Sequence, residues 1–155
     1  MNITTPAFKA GTAIPARHTG DGEDLSPALQ WSEIPAGAKS LALIMDDPDA
    51  PPGTWIHWLI YDIPPGAAGL PEGLPKTQVV AGGARQGLVW GVDRVERIGY
   101  FGPLPPPGKP HRYFFKLYAL DRKLDLPPGA TKPELEMAMA GRVLAQAEVI
   151  GTYQR

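Results

Sequence analysis

The chain of 155 residues contains no cysteine. This absence excludes disulfide bonds, thiolate metal sites and a cysteine nucleophile. The chain also has no apolar run close to the roughly 18 residues that a membrane-spanning helix needs. Its first residues show no positively charged segment followed by an apolar stretch, which is the pattern of a signal peptide. We therefore expect no integral membrane segment, no signal peptide and a cytoplasmic location.

An excess of charge of one sign is missing as well. The 15 basic and 16 acidic residues are interspersed and leave a formal net charge of −1. Because nucleic-acid binding depends on clustered Lys and Arg, we expect no nucleic-acid partner. The common catalytic motifs for metal hydrolases, serine hydrolases and dinucleotide binding are also absent. The sequence thus indicates no catalytic residues of a known type.

Proline and glycine, by contrast, are abundant, with 19 and 18 residues spread between apolar segments. This spacing is typical of strands joined by many turns, and the length suits one domain over residues 1–155. Runs rich in β-branched and aromatic residues between these turns predict strands. The predicted strands are Leu29–Ser32, residues 40–45, Trp55–Ile63 and His111–Leu120.

One helix is indicated near the end of the chain. Thr131 and Glu134 have the spacing of a capping box, with Pro133 in the first turn. Apolar residues then recur at helical spacing as far as Ala147. We expect this helix to end before Gly151, with a last short strand over residues 152–154. Strands followed by a late helix favour an α+β fold or a β-sandwich with a peripheral helix.

A cluster of carboxylates follows the second predicted strand, in the segment Asp46-Asp47-Pro48-Asp49-Ala50-Pro51. One interpretation is a turn in which Asp side chains accept hydrogen bonds from backbone N–H groups. The other interpretation is a carboxylate cluster at the mouth of a pocket, where an Asp orients an imidazole or binds a cation. The segment alone leaves both open.

The predicted strand from Trp55 carries a histidine among aromatic residues. Strict alternation puts Trp55, His57, Leu59 and Tyr61 on one face of the strand. The opposite face is apolar and predicts core. A single histidine in a strand is more often structural than functional, so His57 gains interest only from a second histidine in a similar setting.

That second histidine begins the next aromatic strand, where His111 and Tyr113 share a face. An imidazole and a phenol side by side can both donate hydrogen bonds to an oxyanion. Arg112 points to the opposite face, and we expect it to pair with Asp49 or Asp46 in a structural role.

Taken in order, these motifs resemble one known family. Asp47-Pro48-Asp49-Ala50-Pro51, Trp55-x-His57-Trp58, Gly102-Pro103 and His111-Arg112-Tyr113 are similar to the phosphatidylethanolamine-binding protein family, in its bacterial, Raf kinase inhibitor-like branch. The segments 21–31 and 143–153 agree with it too. The resemblance implies a mostly β fold, a sandwich of a large central antiparallel sheet and a smaller sheet. One or more peripheral helices, including a C-terminal one, complete it.

The resemblance further implies a pocket for a small anion, a phosphate or a phosphoethanolamine-type headgroup, without a metal or another cofactor. Asp49 and Trp55 would support this pocket, Pro51 would shape it, and Gly102 and Pro103 would lie on its rim. The ligand-binding set carried over by motif is Asp47, His57, His111, Tyr113, Gly102, Pro103, Trp55, Asp49 and Pro51.

The implied function is anion binding with a regulatory role, such as modulation of a kinase or a protease by an unknown protein partner. The alternative is an esterase or phosphoesterase, metal-assisted or metal-free, that uses the Asp and His side chains of the pocket. A homodimer is compatible with the bacterial branch.

The sequence departs from the family pattern just before the His-Arg-Tyr strand. Phe101 stands where a glycine is usual, and Leu104 stands where a cysteine is usual. Residues 90–98 form a longer segment than the pattern leads us to expect. We expect Phe101 either to narrow the pocket or to change the backbone path at its rim.

Overall fold

The computed structural model describes residues 1–90 and 96–155. Residues 91–95, which belong to the longer segment noted above, lie outside the described residues. The strands are β1 (Asn2–Thr4), β2 (Leu29–Ser32), β3 (Ser40–Asp47), β4 (Trp55–Ile63), β5 (Gly69–Leu70), β6 (Arg85–Gln86), β7 (Leu88–Trp90), β8 (Glu96–Ile98), β9 (His111–Leu120) and β10 (Val143–Tyr153). One α-helix, α1 (Lys132–Met139), and short 3-10 helices at Ala16–His18 and Ala81–Gly83 join them. The four strands expected before the helix are confirmed, and β3 extends two residues further than expected. The short strand expected over residues 152–154 is the end of the longer β10.

The strands form a large central sheet in the order β10-β9-β3-β4-β6 and a smaller sheet in the order β1-β2-β5. Strands β7 and β8 pair separately. Every strand pairing is antiparallel. This mostly β arrangement with a helix near the C-terminus confirms the fold class expected from the sequence. No helix of the described residues is long and apolar enough to cross a membrane.

Strand β3 lies in the middle of the central sheet, and all eight of its residues are buried. Leu41, Leu43 and Met45 pack on one face, in a core shared with Ile3 and Trp31 of the smaller sheet. The other face holds a second core, whose members come from both the sheet and α1. This second core includes Ala42, Ile44, Leu59 and Tyr61 of the sheet and Leu135 and Met139 of α1. The central sheet is therefore covered on both faces, which fits the almost continuous apolar sequence of β3.

Strand β4 contains an irregularity at His57 that alters the expected faces. Met45 pairs with Trp58 and Asp46 pairs with Ile56, so His57 is an extra residue with no partner of its own on β3. Such a bulge interrupts the alternation of side chains. His57 lies on the side of the smaller sheet, whereas Leu59 and Tyr61 pack into the core beneath α1. The expectation that these two share a face with His57 is wrong for this reason.

The capping box at Thr131 and Glu134 is confirmed, because the side chain of each residue hydrogen-bonds the backbone N–H of the other. However, α1 ends at Met139, and the expected continuation through Ala147 is wrong. Gly141 has a φ of +74°, a conformation that L residues rarely adopt and that turns the chain after the helix.

The residues beyond this turn form β10, the edge strand of the central sheet. It pairs with β9 over almost its whole length, from Val143 with Leu120 to Tyr153 with His111. Its first half consists mainly of good helix formers, which explains the wrong expectation. Pairing along a ten-residue neighbour decides the outcome against this local preference.

Close packing behind β10 gives a test of this arrangement. A Cβ atom at Gly151 would lie 2.6 Å from Cγ1 of Ile14 and 2.8 Å from Cε2 of Phe8. We expect Gly151→Ala to lower the free energy of unfolding by about 1–3 kcal/mol, the usual cost of overpacking a core. The matched control is Gly66→Ala, because nothing lies within 4 Å of a Cβ there. That change should stay within about 0.5 kcal/mol. Urea unfolding measures both, and equal stability of the two variants would contradict the assigned packing.

Candidate functional site

A cavity of about 440 Å³ opens where the end of β3 meets the beginnings of β4 and β9. Since β3 is the antiparallel neighbour of both β4 and β9, its last residue and their first residues lie at the same end of the central sheet. The structure brings together Asp47, His57, His111 and Tyr113 in its lining, although they are distant in sequence. The remaining lining residues are Ala50, Pro51, Pro52, Trp55, Leu104, Pro105, Pro106 and Arg155.

Asp47 and His111 form a buried pair in this cavity. Nδ1 of His111 lies 2.7 Å from Oδ2 of Asp47, and the second carboxylate oxygen accepts the backbone N–H of Asp49 at 2.8 Å. Because an ionised carboxylate only accepts hydrogen bonds, Nδ1 carries a proton. Nε2 of His111 is left without a protein partner among the described residues. The pair therefore fixes both the orientation and the tautomer of the imidazole.

His57 is held in a similar way by the backbone of Phe101. Its Nδ1 donates to the Phe101 carbonyl oxygen at 2.5 Å, while the Phe101 N–H donates to the carbonyl oxygen of His57 at 3.0 Å. Nε2 is again the ring nitrogen left for the cavity. Burial lowers the pKa of His57, although the Phe101 carbonyl and the Asp47 carboxylate act in the opposite direction. The neutral imidazole, with a lone pair at Nε2, is thus the favoured form.

Tyr113 lies beside both histidines, with its ring edge-on to His57 at a centroid distance of 5.2 Å. Burial raises the pKa of its phenol, and the nearby Asp47 carboxylate raises it further. The hydroxyl therefore stays protonated and is a donor. Trp55, Pro51 and Pro52 form an apolar wall on the other side of the cavity.

The three carboxylates of residues 46–49 have different partners in the structure. Asp47 faces the cavity, and Asp46, the next residue on β3, faces the opposite side of the sheet toward Lys116 and Lys132, at 3.2 and 3.3 Å. Alternation along a strand explains this separation. The two interpretations left open by the sequence both apply to Asp47, which accepts the backbone N–H of Asp49 and also orients His111.

Asp49 lies outside the cavity lining and makes a bidentate ion pair with Arg112, with both N–O distances at 2.9 Å. The backbone N–H of Arg112 also donates to Asp49 at 2.9 Å. The hydrogen bonds from Arg112 lower the pKa of Asp49 to about 2, against the effect of burial. This pair, one of the two expected from the sequence, attaches the turn after β3 to the start of β9.

Gly102 and Pro103 lie behind the rim instead of on it. The Gly102 N–H donates to Oδ1 of Asp24 at 2.8 Å, so it is not available to a ligand. The Pro103 carbonyl accepts the Gly20 N–H at 2.8 Å. The three residues that follow, Leu104, Pro105 and Pro106, form this part of the rim.

The ring of Phe101 does not line the cavity and therefore does not narrow it. It packs against the core beneath α1, with Nζ of Lys76 at 4.6 Å and the guanidinium of Arg97 at 5.1 Å from its centroid. Its contribution to the cavity is the backbone carbonyl that orients His57. Of the two departures from the family pattern, only Leu104 is among the residues that line the cavity.

Arg155 is a cavity residue that the sequence motifs do not reveal. Its Nε lies 3.4 Å from Oδ1 of Asp21, and its side chain is 38% exposed at the cavity mouth. Tyr153 pairs with His111, so the end of β10 is carried to this edge of the sheet. Only the recognition of β10 as a partner of β9 would have pointed to Arg155.

No group of three or more His, Asp or Glu side chains suited to hold a metal ion is present in the part of the chain that the structure describes. The Asp47 carboxylate already accepts hydrogen bonds on both of its oxygens, and each imidazole offers one ring nitrogen to a ligand. The arrangement is suited to hydrogen bonding of a small polar group.

Comparisons with known proteins agree with this geometry. The family model described as phosphatidylethanolamine-binding protein matches residues 4–154. A UPF0098 protein of Methanothermobacter thermautotrophicus is 52% identical over 155 residues, which is the whole of this chain and 99% of the relative. A UPF0098 protein of Aquifex aeolicus is 47% identical, over all of this chain and 89% of the relative.

Two crystal structures show the same fold. A phosphatidylethanolamine-binding protein homologue from Chlamydia trachomatis superposes with a TM-score of 0.87 at 41% identity, over 99% of this chain and 97% of the other. YbcL of Escherichia coli, described as a member of the mammalian family of these proteins, gives 0.84 at 30% identity, over 99% and 98%. The chain therefore belongs to the phosphatidylethanolamine-binding protein family, as its motifs indicate.

Proposed function

We propose that the cavity binds small phosphate-type anions, including the phosphoethanolamine headgroup. The observation that carries this proposal is the convergence of His57, His111 and Tyr113 on one cavity, where Nε2 of each imidazole has no protein partner among the described residues. Both imidazoles are oriented from behind by a protein acceptor, at 2.5 and 2.7 Å. Groups held in place before the ligand arrives lose little freedom on binding it.

The donors for an anion are of three kinds. His111, held at Nδ1 by Asp47, donates Nε2–H to a ligand oxygen when its ring carries both protons. The phenol of Tyr113, which is hydrogen-bonded to Asp47, can donate its O–H to the ligand only by exchanging that partner, and the guanidinium of Arg155 adds a charged donor. Charge-assisted hydrogen bonds of this kind contribute roughly 1.5–3 kcal/mol each. A few of them support dissociation constants of about millimolar to micromolar.

The apolar wall of the cavity favours particular organic groups attached to the phosphate. Trp55, Pro51, Pro52 and Leu104 contribute mainly carbon surface to the lining. A short aliphatic chain on the phosphate would lie against this wall. Of phosphoethanolamine, the two methylene groups match this wall, whereas its charged ammonium would stay in contact with water.

Other sequence-based expectations stay predictions. Among the described residues the cavity lining contains no Ser, Thr or Lys, so an esterase would have to use a water, an imidazole, the Asp47 carboxylate or the Tyr113 hydroxyl as the nucleophile. A regulatory protein partner, a homodimer and a cytoplasmic location also stay predictions. A phosphoesterase assay with purified protein addresses the first of these directly.

The anion-binding proposal predicts a specific loss at His111. We expect wild-type protein to bind inorganic phosphate and phosphoethanolamine measurably in calorimetric titrations. His111→Ala should weaken both by about tenfold or more, because it removes one charge-assisted hydrogen bond. The control is Arg122→Ala, which removes an exposed cation just beyond the other end of β9. Unchanged affinity in His111→Ala, with the control also unchanged, would contradict the assignment of the site.

The rim position of Arg155 predicts a smaller and salt-dependent effect. We expect Arg155→Ala to weaken phosphate binding by about two- to tenfold at low ionic strength, since exposed charges are screened as salt rises. The variant should also show a flatter dependence of affinity on salt, and Arg155→Lys should restore most of the slope. A salt dependence identical to wild type in Arg155→Ala would remove this residue from the site.

A further inference from the structure

One atom in the cavity is unsuited to a fully ionised anion. Because the Phe101 carbonyl can only accept, the 2.5 Å hydrogen bond from His57 places the ring proton on Nδ1. The nitrogen left to the cavity, Nε2, then carries a lone pair and accepts hydrogen bonds. A ligand whose oxygens are all acceptors has nothing to offer this atom.

The surroundings of His57 keep the lone pair in place. Burial is the main influence and lowers the pKa of the ring, while the carboxylates of Asp47, Asp24 and Asp46 partly oppose it. From β9, His111 and Tyr113 face the same space, and Arg155 reaches its mouth from beyond β10. The Phe101 carbonyl fixes which ring nitrogen keeps the proton, and burial favours the neutral ring in which Nε2 has its lone pair.

The charge balance of the cavity is a second, independent constraint. The carboxylate of Asp47 is paired with His111, and the guanidinium of Arg155 is paired with Asp21 at 3.4 Å. Even with His111 protonated, these four side chains carry one positive charge for each negative one. A cavity balanced in this way is better matched to a singly charged anion than to a doubly charged one.

Building on the proposed function, we propose that the cavity selects phosphomonoesters and inorganic phosphate in the singly protonated, monoanionic form. The P–OH of the ligand donates to Nε2 of His57, and the other oxygens accept from His111 and Tyr113. Anions that carry no proton, such as phosphodiesters and sulfate esters, leave the lone pair of His57 unsatisfied. Free phosphoethanolamine is then a better ligand than an intact phospholipid headgroup, in which the phosphate is a diester.

Proton balance gives the pH dependence. A phosphomonoester loses its second proton with a pKa of about 6. Below that value the ligand brings its own proton, and above it each binding event takes one proton from solvent. Affinity for the phosphomonoester should therefore fall as pH rises above about 6, by up to tenfold per pH unit for this proton.

Three ligands with the same aminoethyl group separate the alternatives: phosphoethanolamine, 2-aminoethyl hydrogen sulfate and glycerophosphoethanolamine. At pH 5.5 the anionic group of each carries about one negative charge, so that the P–OH is the main difference. We expect calorimetric titrations to show phosphoethanolamine bound at least about tenfold more tightly than the other two. At pH 8 it should take up about one proton more per ligand than the sulfate ester does, measured from the heats in two buffers.

A pair of matched variants assigns the preference to His57. In His57→Gln the side-chain amide can donate as well as accept, so the preference for phosphoethanolamine should fall to about threefold or less. His18→Gln is the control, because His18 is also buried and its Nδ1 also contacts a backbone carbonyl, that of Leu25 at 2.8 Å, but it lies outside the cavity. This variant should keep the full preference. Thermal unfolding checks that both variants fold, and side-chain ¹⁵N NMR of the wild type reads the protonation of Nε2 independently.

The outcomes separate this inference from the function on which it rests. Equal binding of all three ligands, weakened for all by His111→Ala, would overturn the selection and leave anion binding intact. Tighter binding of the diester would overturn it in favour of a lipid headgroup. Binding of none of the three, or no effect of His111→Ala, would overturn both.

Discussion

Two carboxylates at the buried end of β3 determine much of the structure around the cavity. Asp46 and Asp47 are 1% and 3% exposed, and a charge buried to this degree is stable only with a partner. Alternation sends them to opposite faces of the sheet. Asp47 therefore engages His111, while Asp46 engages Lys116 and Lys132. The first contact orients the cavity, and the second attaches the start of α1 to the far side of the same strand.

The bulge at His57 is the second feature that shapes the cavity. The bulge removes this residue from the regular pairing of β4 with β3 and brings its ring onto the same side as Asp47 and Tyr113. The reciprocal hydrogen bonds with Phe101 then fix the ring. Phe101 itself is held by packing of its ring against the core and against Lys76 and Arg97. Of the two effects expected of Phe101, narrowing of the pocket is wrong, because its ring packs into the core while its backbone carbonyl meets His57.

The sequence was a good guide where local patterns decide the structure. Strands β2, β4 and β9 have the expected bounds, and the capping box at Thr131 is in place. It failed where distant contacts decide. Strand β10 is built from helix formers and becomes a strand only through β9, and no local signal marks the bulge that separates Leu59 from His57. For the cavity, local motifs predict its four central residues. The motifs do not predict the hydrogen bond from the Gly102 N–H to Asp24, which is 78 residues away in the sequence.

A cavity with a balanced charge binds by hydrogen-bond pattern more than by long-range attraction. Screening by salt weakens the contribution of an exposed cation such as Arg155, but it has little influence on short contacts inside a protein. Discrimination between anions should then depend on whether each polar atom of the ligand finds its complement. An unsatisfied buried acceptor costs about 1–3 kcal/mol, comparable to the gain from one charged hydrogen bond. If the cavity binds anions as proposed, His57 should therefore influence which anion is bound as much as His111 influences whether one is bound.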